Sequence, residues 1–268
     1  MPQVPFYQLD AFTAEPFRGN PAAVCLMPCN LGDDLYLSIA GEMNLSETAF
    51  LGEQGAGYRL RWFTPKREVP LCGHATLAAA HLLFTRLGYE GDRVTFHTQA
   101  GELYAYRGSE GVTMDFPRND PHPVEPIMGI LEGLGVSGYV DFQYSDTNQK
   151  IVVELRDEGE VRDVSPDFQA LLMVENTLGW RGVNVTALGA SHDFVSRYFA
   201  PWMGVNEDPV TGSAHTVLGP YWAAKLGKKR LTAYQASKRG GEVLVEVTLG
   251  RVNLTGRSVL VAEGILHY

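Results

Sequence analysis

The sequence predicts an α+β protein made of two pseudo-symmetric copies of one unit, each a many-stranded sheet with one principal buried helix. Three observations predict it. Arg61-Trp62-Phe63-Thr64-Pro65 recurs 136 positions later as Arg197-Tyr198-Phe199-Ala200-Pro201. Beyond each copy a glycine, Gly73 or Gly212, opens an apolar helical pattern, and both patterns end in Leu-Gly, at Leu87-Gly88 and Leu226-Gly227, now 139 positions apart. Gln99-Ala100 returns as Gln235-Ala236 at 136, so one indel in a loop and another after the helix account for the offsets. A fainter echo sets Ala49-Phe50-Leu51-Gly52 against Thr186-Ala187-Leu188-Gly189. Third, the α/β crossover rhythm and Gly-x-Gly-x-x-Gly are both absent, which disfavours a doubly wound nucleotide-binding domain.

The elements follow in order. Residues 5–12 alternate as a strand, Gly19-Asn20-Pro21 punctuates, and the apolar run 22–27 gives a second strand. Leu35, Ile39, Ala40 and Met43 predict a short amphipathic helix over 33–43. Strands are expected at 46–51 and 56–63, with a turn at 64–68. The helix over 74–87 is apolar or small nearly all round, which implies burial on several sides. Strand character returns at 94–98, 102–106 and 112–116. The proline-rich, polar stretch 117–123 marks the boundary between an N-terminal domain, 1–118, and a C-terminal one, 119–268, whose terminal strand has the option of packing back on the first. Beyond it come strands at 139–144, 151–155, 182–188 and 194–199, a helix at 213–226, and strands at 243–249 and 258–263.

A chain of 268 residues, 45% hydrophobic, buries a substantial core. The formal charge of -9 disfavours a nucleic-acid partner, which needs a basic surface. The tight basic cluster Lys228-Lys229-Arg230 follows a helix-terminal glycine, where cations suit the dipole. No stretch approaches 18 consecutive apolar residues and no leader pattern opens the chain, so a soluble cytoplasmic protein without a membrane partner is expected. Cys25, Cys29 and Cys72 lack a disulfide-framework spacing, and Cys25-x3-Cys29 has no second metal-binding pair behind it.

Candidate chemistry gathers at the two helix starts. Two duplicated domains meeting face to face would form a cleft with a helix N-terminus on each side. The free amides and positive dipole ends at Gly73-His74 and Gly212-Ser213 suit a carboxylate or a developing enolate charge. The bland alternative is helix capping by Thr211 or Ser213. His74 at a helix start is expected neutral, since the dipole disfavours its cation, although a core or capping role is the competing reading. Asp208, in Glu207-Asp208, gains as an anion near the second helix start, or is structural. Glu47 lies where a strand pattern begins among uncharged neighbours, so desolvation could raise its pKa toward acid/base use; a surface carboxylate is the alternative. His81 reads as a core histidine, while His192 and His215 are ambiguous. No Gly-x-Ser-x-Gly elbow or His-x3-His metal pair is present.

These motifs together resemble the phenazine-biosynthesis PhzF-like isomerase family, within the diaminopimelate epimerase-like fold. The matching residues are Asp10-Ala11-Phe12-Thr13, Phe17-x-Gly19-Asn20-Pro21-Ala22-Ala23-Val24, Asn44 to Phe50, Arg61-x-Phe63-Thr64-Pro65, Glu68 to Leu77, Glu207 to His215, and Gln235-x-Ser237-x-Arg239-Gly240-Gly241. The resemblance implies curved or barrel-like sheets around central helices, a homodimer and no cofactor. The phenazine enzyme isomerises trans-2,3-dihydro-3-hydroxyanthranilate. By resemblance Glu47 moves the proton, His74, Asp208 and Ser213 contact or polarise the substrate, and the amides at Gly73, Gly212 and Ser213 hold its carboxylate. Epimerases of this fold use one cysteine from each domain. Here Cys72 fills the first position but Thr211 stands at the second, and a hydroxyl cannot replace a thiolate as base.

The leading expectation is a cofactor-independent isomerase relocating a proton on a small carboxylate-bearing, cyclic or unsaturated metabolite. The alternatives are an amino-acid epimerase or racemase of the same fold, and a non-catalytic small-molecule-binding protein on the same scaffold.

Overall fold

The computed structural model describes residues 2–28 and 31–268. Cys29, and with it the Cys25-x3-Cys29 spacing, lies outside the described residues. The chain forms two compact units: unit 1 is Met1–Asp115 with Thr255–Tyr268, and unit 2 is Phe116–Leu254.

The first unit contains β1 (Gln3–Ala11), β2 (Asn20–Leu26), α1 (Asp33–Met43), β3 (Thr48–Gln54), β4 (Gly57–Phe63), β5 (Glu68–Val69), α2 (Gly73–Thr85), β6 (Arg93–Thr98) and β7 (Gly101–Gly108). β8 (Gly111–Pro117) carries the chain into unit 2. There follow β9 (His122–Pro123), α3 (Met128–Leu134), β10 (Asp141–Ser145), β11 (Lys150–Glu154), α4 (Glu158–Asp163), α5 (Phe168–Met173), β12 (Gly182–Leu188) and β13 (Phe194–Ala200). β14 (Val205–Asp208), α6 (Gly212–Leu226), β15 (Arg230–Gln235) and β16 (Gly241–Val247) complete unit 2. β17 (Arg251–Gly256) returns the chain to unit 1, where β18 (Ser258–His267) pairs antiparallel along the length of β1.

The strand pairings state the duplication more firmly than the sequence does. In unit 1, β1 is antiparallel to β2, β2 parallel to β3, β3 antiparallel to β4, β4 antiparallel to β5 and parallel to β6, and β6 antiparallel to β7. In unit 2 the same scheme runs through β10, β11, β12, β13, β14, β15 and β16. The architecture is α+β, with antiparallel and parallel ladders mixed and a helix packed on each unit's strands.

One expectation is corrected by register. Thr48 pairs with Phe63, and Val183 pairs with Phe199. Because the two phenylalanines belong to the same repeated motif, Thr48 corresponds to Val183, and Ala49 to Asn184. The echo of Ala49–Gly52 in Thr186–Gly189 is therefore two residues out of register, a coincidence of composition in two apolar strands.

The repeated arginine has a structural purpose. Arg61 makes a bidentate pair with Glu68 at 2.7 Å, and Arg197 repeats it with Glu207 at 2.7 and 3.0 Å. Each guanidinium also lies 4.9 Å from the ring of the phenylalanine two residues on. Planar guanidinium matches carboxylate geometry and stacks on aromatic faces, which lysine does not. In this way each unit pins its short strand, β5 or β14, beside β4 or β13.

α2 is buried at every residue from His74 to Ala80, as its small and apolar composition predicts. α6 carries Pro220 in its interior. Proline removes the amide that would bond the carbonyl four residues earlier. That carbonyl, Thr216 O, accepts instead from the backbone N–H of Asn119 at 3.2 Å. α6 ends on Gly227 at φ 64°, a left-handed conformation that costs glycine nothing. The unit 1 core includes Tyr36, Phe50 and Phe63 in mutual ring contact, and that of unit 2 includes Ile130, Leu134, Val153, Trp180 and Val185.

Candidate active site

In unit 1 three neighbouring segments converge on His74. β2 opens with Asn20, Glu47 immediately precedes β3, and Cys72 and Gly73 lead into α2. The parallel pairing of β2 with β3 sets the first two side by side. His74 is 4% exposed. Its Nε2 lies 3.5 Å from Glu47 Oε2. Its Nδ1 lies 3.3 Å from Asn20 Nδ2 and 3.6 Å from Cys72 Sγ, which is 4.0 Å from Nε2. Ser46 Oγ donates to Asn20 Oδ1 at 3.3 Å. Burial drives the imidazole pKa from 6.5 down to about 3. The carboxylate beside it would favour the cation, but loss of water outweighs that attraction, so the contact joins a neutral ring to Glu47. The dipole-based expectation of a neutral His74 thus has a stronger cause than the dipole.

Glu47, Cys72 and His74 form the one His/Cys/acid cluster among the described residues with donor atoms close enough for a metal ion, all within 4.8 Å. The placement is poor for one. Glu47 stands at Nε2, while the sulfur is nearly equidistant from both ring nitrogens and lies off either lone pair, so an ion on Nε2 reaches the carboxylate but not the thiol.

In unit 2, β14 ends at Asp208, paired with Tyr198 of β13. Thr211 Oγ1 donates to Asp208 Oδ2. Gln235, at the end of β15, clasps the turn: its Nε2 donates to the Asp208 carbonyl at 2.7 Å, and its Oε1 accepts from the Thr211 N–H at 2.8 Å. Capping by Thr211 or Ser213 is not realised. Thr211 is the N-cap residue but spends its hydroxyl on Asp208, and Ser213 lies within the first turn. Cys72 likewise makes no side-chain cap on α2. Neither N-cap side chain, Cys72 nor Thr211, accepts from its helix's first amides, as an anion-binding helix start requires.

The remaining histidines separate clearly. His215 is fully buried and donates Nδ1–H to the Thr211 carbonyl at 2.8 Å. It repeats Thr76, whose hydroxyl donates to the Cys72 carbonyl at 2.6 Å. His81 is half-buried on α2, with its pKa lowered by burial. His192 stacks on Tyr234 with ring centroids 5.3 Å apart.

Sequence reasoning missed Lys150 and Asn148. Lys150 is buried and donates to Tyr198 OH at 2.8 Å, with its pKa lowered from 10.5 to about 8 by burial against the opposing attraction of Asp208. Asn148 Nδ2 donates to the Ser213 carbonyl at 2.7 Å and to Thr216 Oγ1 at 3.0 Å. A lysine opening the apolar strand Lys150–Glu154 was a visible signal, whereas Asn148 sits in no motif.

A family model described as phenazine biosynthesis-like protein matches residues 9–264. The chain belongs to the phenazine biosynthesis-like family. A Pseudomonas aeruginosa member named as an uncharacterized isomerase is 49% identical over 262 residues, covering 98% of both chains. The crystal structure of a PhzF-family phenazine biosynthesis protein from Enterococcus faecalis matches with a TM-score of 0.94 at 41% identity, covering 100% of both chains. A hydroxyproline epimerase from Agrobacterium vitis shares the fold, with a TM-score of 0.61 at 12% identity over 98% of this chain and 92% of that one. The phenazine biosynthesis-like family thus includes proteins named isomerases, on a fold shared with epimerases.

Proposed function

We propose that this chain is a cofactor-independent isomerase that relocates a proton on a small carboxylate-bearing, cyclic or unsaturated metabolite. Glu47 is the acid/base. Its carboxylate takes a proton from an activated C–H, the bonding pair moves into the adjoining unsaturated system, and the new carboxyl group returns the proton to a different carbon. Nothing is oxidised or reduced.

The observation that supports this most is the neutral, buried His74 ring held 3.5 Å from Glu47. A neutral ring beside the carboxylate leaves its basicity intact, where a full ion pair would quench it. The uncapped amides at Gly73, Gly212 and Ser213 are assigned to the substrate carboxylate, and Asp208 to polarising the substrate. A homodimer acting in the cytoplasm, without nucleic-acid or membrane partners, belongs to the same proposal. Two-thiol epimerisation is less well served, because Thr211 replaces the second cysteine and its hydroxyl is bound to Asp208.

The test is a panel of cyclic and unsaturated carboxylates assayed in deuterated water. Wild-type protein is expected to shift the double bond of one panel member with deuterium incorporation, and Glu47→Gln to lose turnover by about 10²–10⁴-fold. Full turnover by Glu47→Gln sinks the proposal.

A further inference from the structure

We infer that Asn20 is a positioning residue that holds His74 as the tautomer protonated on Nε2, aiming a hydrogen-bond donor at Glu47. A neutral imidazole carries one proton, and its neighbours decide where. Glu47 lies at Nε2, and a carboxylate calls for a donor there. At Nδ1 lies the Asn20 amide nitrogen, able to donate to the ring lone pair, whereas the Cys72 sulfur is nearly equidistant from both ring nitrogens and so lies off either lone pair. Ser46, whose hydroxyl can donate or accept, bonds Oδ1 in the orientation that turns Nδ2 toward the ring.

The second unit supplies an independent check on that orientation. Ala23 pairs with Thr48, and Ile151 with Val183, the residues already matched by register. Three residues before Ala23 and Ile151 stand Asn20 and Asn148. Asn148 reaches Ser213, the counterpart of His74 in the repeated helix start. Its partner there is a backbone carbonyl, which can only accept, so the Asn148 amide nitrogen must face the helix. The repeated asparagine is thus a donor onto the first helical turn in both units, and in unit 1 its acceptor is the ring of His74.

The inference rests on the proposed proton transfer only for its kinetic consequence, so the experiment has two arms. In the ¹⁵N-labelled full-length protein, two-bond ¹H–¹⁵N imidazole correlations are recorded near neutral pH, with His74 assigned by its loss in His74→Gln. The expected pattern is a protonated Nε2 and a bare Nδ1. Asn20→Asp, nearly isosteric, presents a carboxylate to Nδ1 and is expected to draw a proton onto that nitrogen and to lower kcat more than it raises KM. A protonated Nδ1 in the wild type overturns the assignment without any variant. So does an unchanged His74 pattern in folded Asn20→Asp. A moved proton with kcat intact supports the tautomer assignment and counts against the catalytic role of the His74–Glu47 pair.

Discussion

Gly182 holds in unit 2 the register position that Glu47 holds in unit 1, each immediately preceding the residue that pairs with the repeated phenylalanine. A Cβ at Gly182 would collide with the Tyr198 ring and hydroxyl, so a side chain there requires the phenol to move. That phenol in turn receives the hydrogen bond from Lys150. Where the first unit places Glu47, the second places a glycine packed under Tyr198 and its buried partner Lys150.

Gly182→Ala is expected to displace the Tyr198 ring, break the Lys150 contact and cost about 1–3 kcal/mol through overpacking. Urea denaturation checks this. A midpoint equal to wild type would show that the phenol has room to move.

The repeated ion pairs predict unequal penalties for one substitution. Arg197 also donates to the carbonyls of Val161, Arg162 and Val164 at 3.3, 3.1 and 2.6 Å, satisfying the end of α4. Arg61 has instead an ion pair to Asp33, whose carboxylate is exposed. Arg197→Lys should cost about 2–3 kcal/mol and Arg61→Lys about 1 kcal/mol, because lysine cannot span a carboxylate and several carbonyls together. Equal shifts in chemical denaturation would contradict the extra load on Arg197.

Long patterns were legible in the sequence and short or tertiary features were not. α1 falls on its expected residues, and α2 and α6 lie within two of theirs, because each has enough apolar positions to set a period. α3, α4 and α5 have seven, six and six residues, too few for periodicity, although Asp157 and Asp167 cap the latter two as sequence rules allow. β15 and β17 went unread despite alternating burial. At the site, Glu47 and His74 were visible as chemistry-bearing types at element starts. The partners that set their states were less so: Asn20 read as turn punctuation, and Lys150 and Tyr198 meet only through the tertiary packing of β11 and β13.

The buried histidines make stability fall in acid. The unfolded chain takes up protons as pH drops through about 6.5, whereas His74 and His215 in the fold resist until about 3 and about 4. Below 6.5 the unfolded state binds more protons, so stability declines from there toward pH 4, by on the order of 3 kcal/mol for each fully buried ring. His215→Gln, which can keep a donor for the Thr211 carbonyl, should flatten part of that decline in denaturation measured across pH. An unchanged slope would show that His215 charges inside the fold.

Lys150 predicts the opposite end of the range. Its ammonium is disfavoured in the fold, with a pKa of about 8 against 10.5 in the unfolded chain. Below pH 8 both states are protonated and the folded state bears the full cost of the buried charge. Between about 8 and 10.5 the fold releases a proton that the unfolded chain keeps, so stability rises with pH across that window. Lys150→Met removes the group: that rise should vanish, and stability at pH 7 should equal or exceed wild type, since a similar-sized apolar chain avoids desolvating a charge. Loss of more than about 2 kcal/mol at pH 7 would show instead that the hydrogen bond to Tyr198 and the attraction of Asp208 more than repay burial.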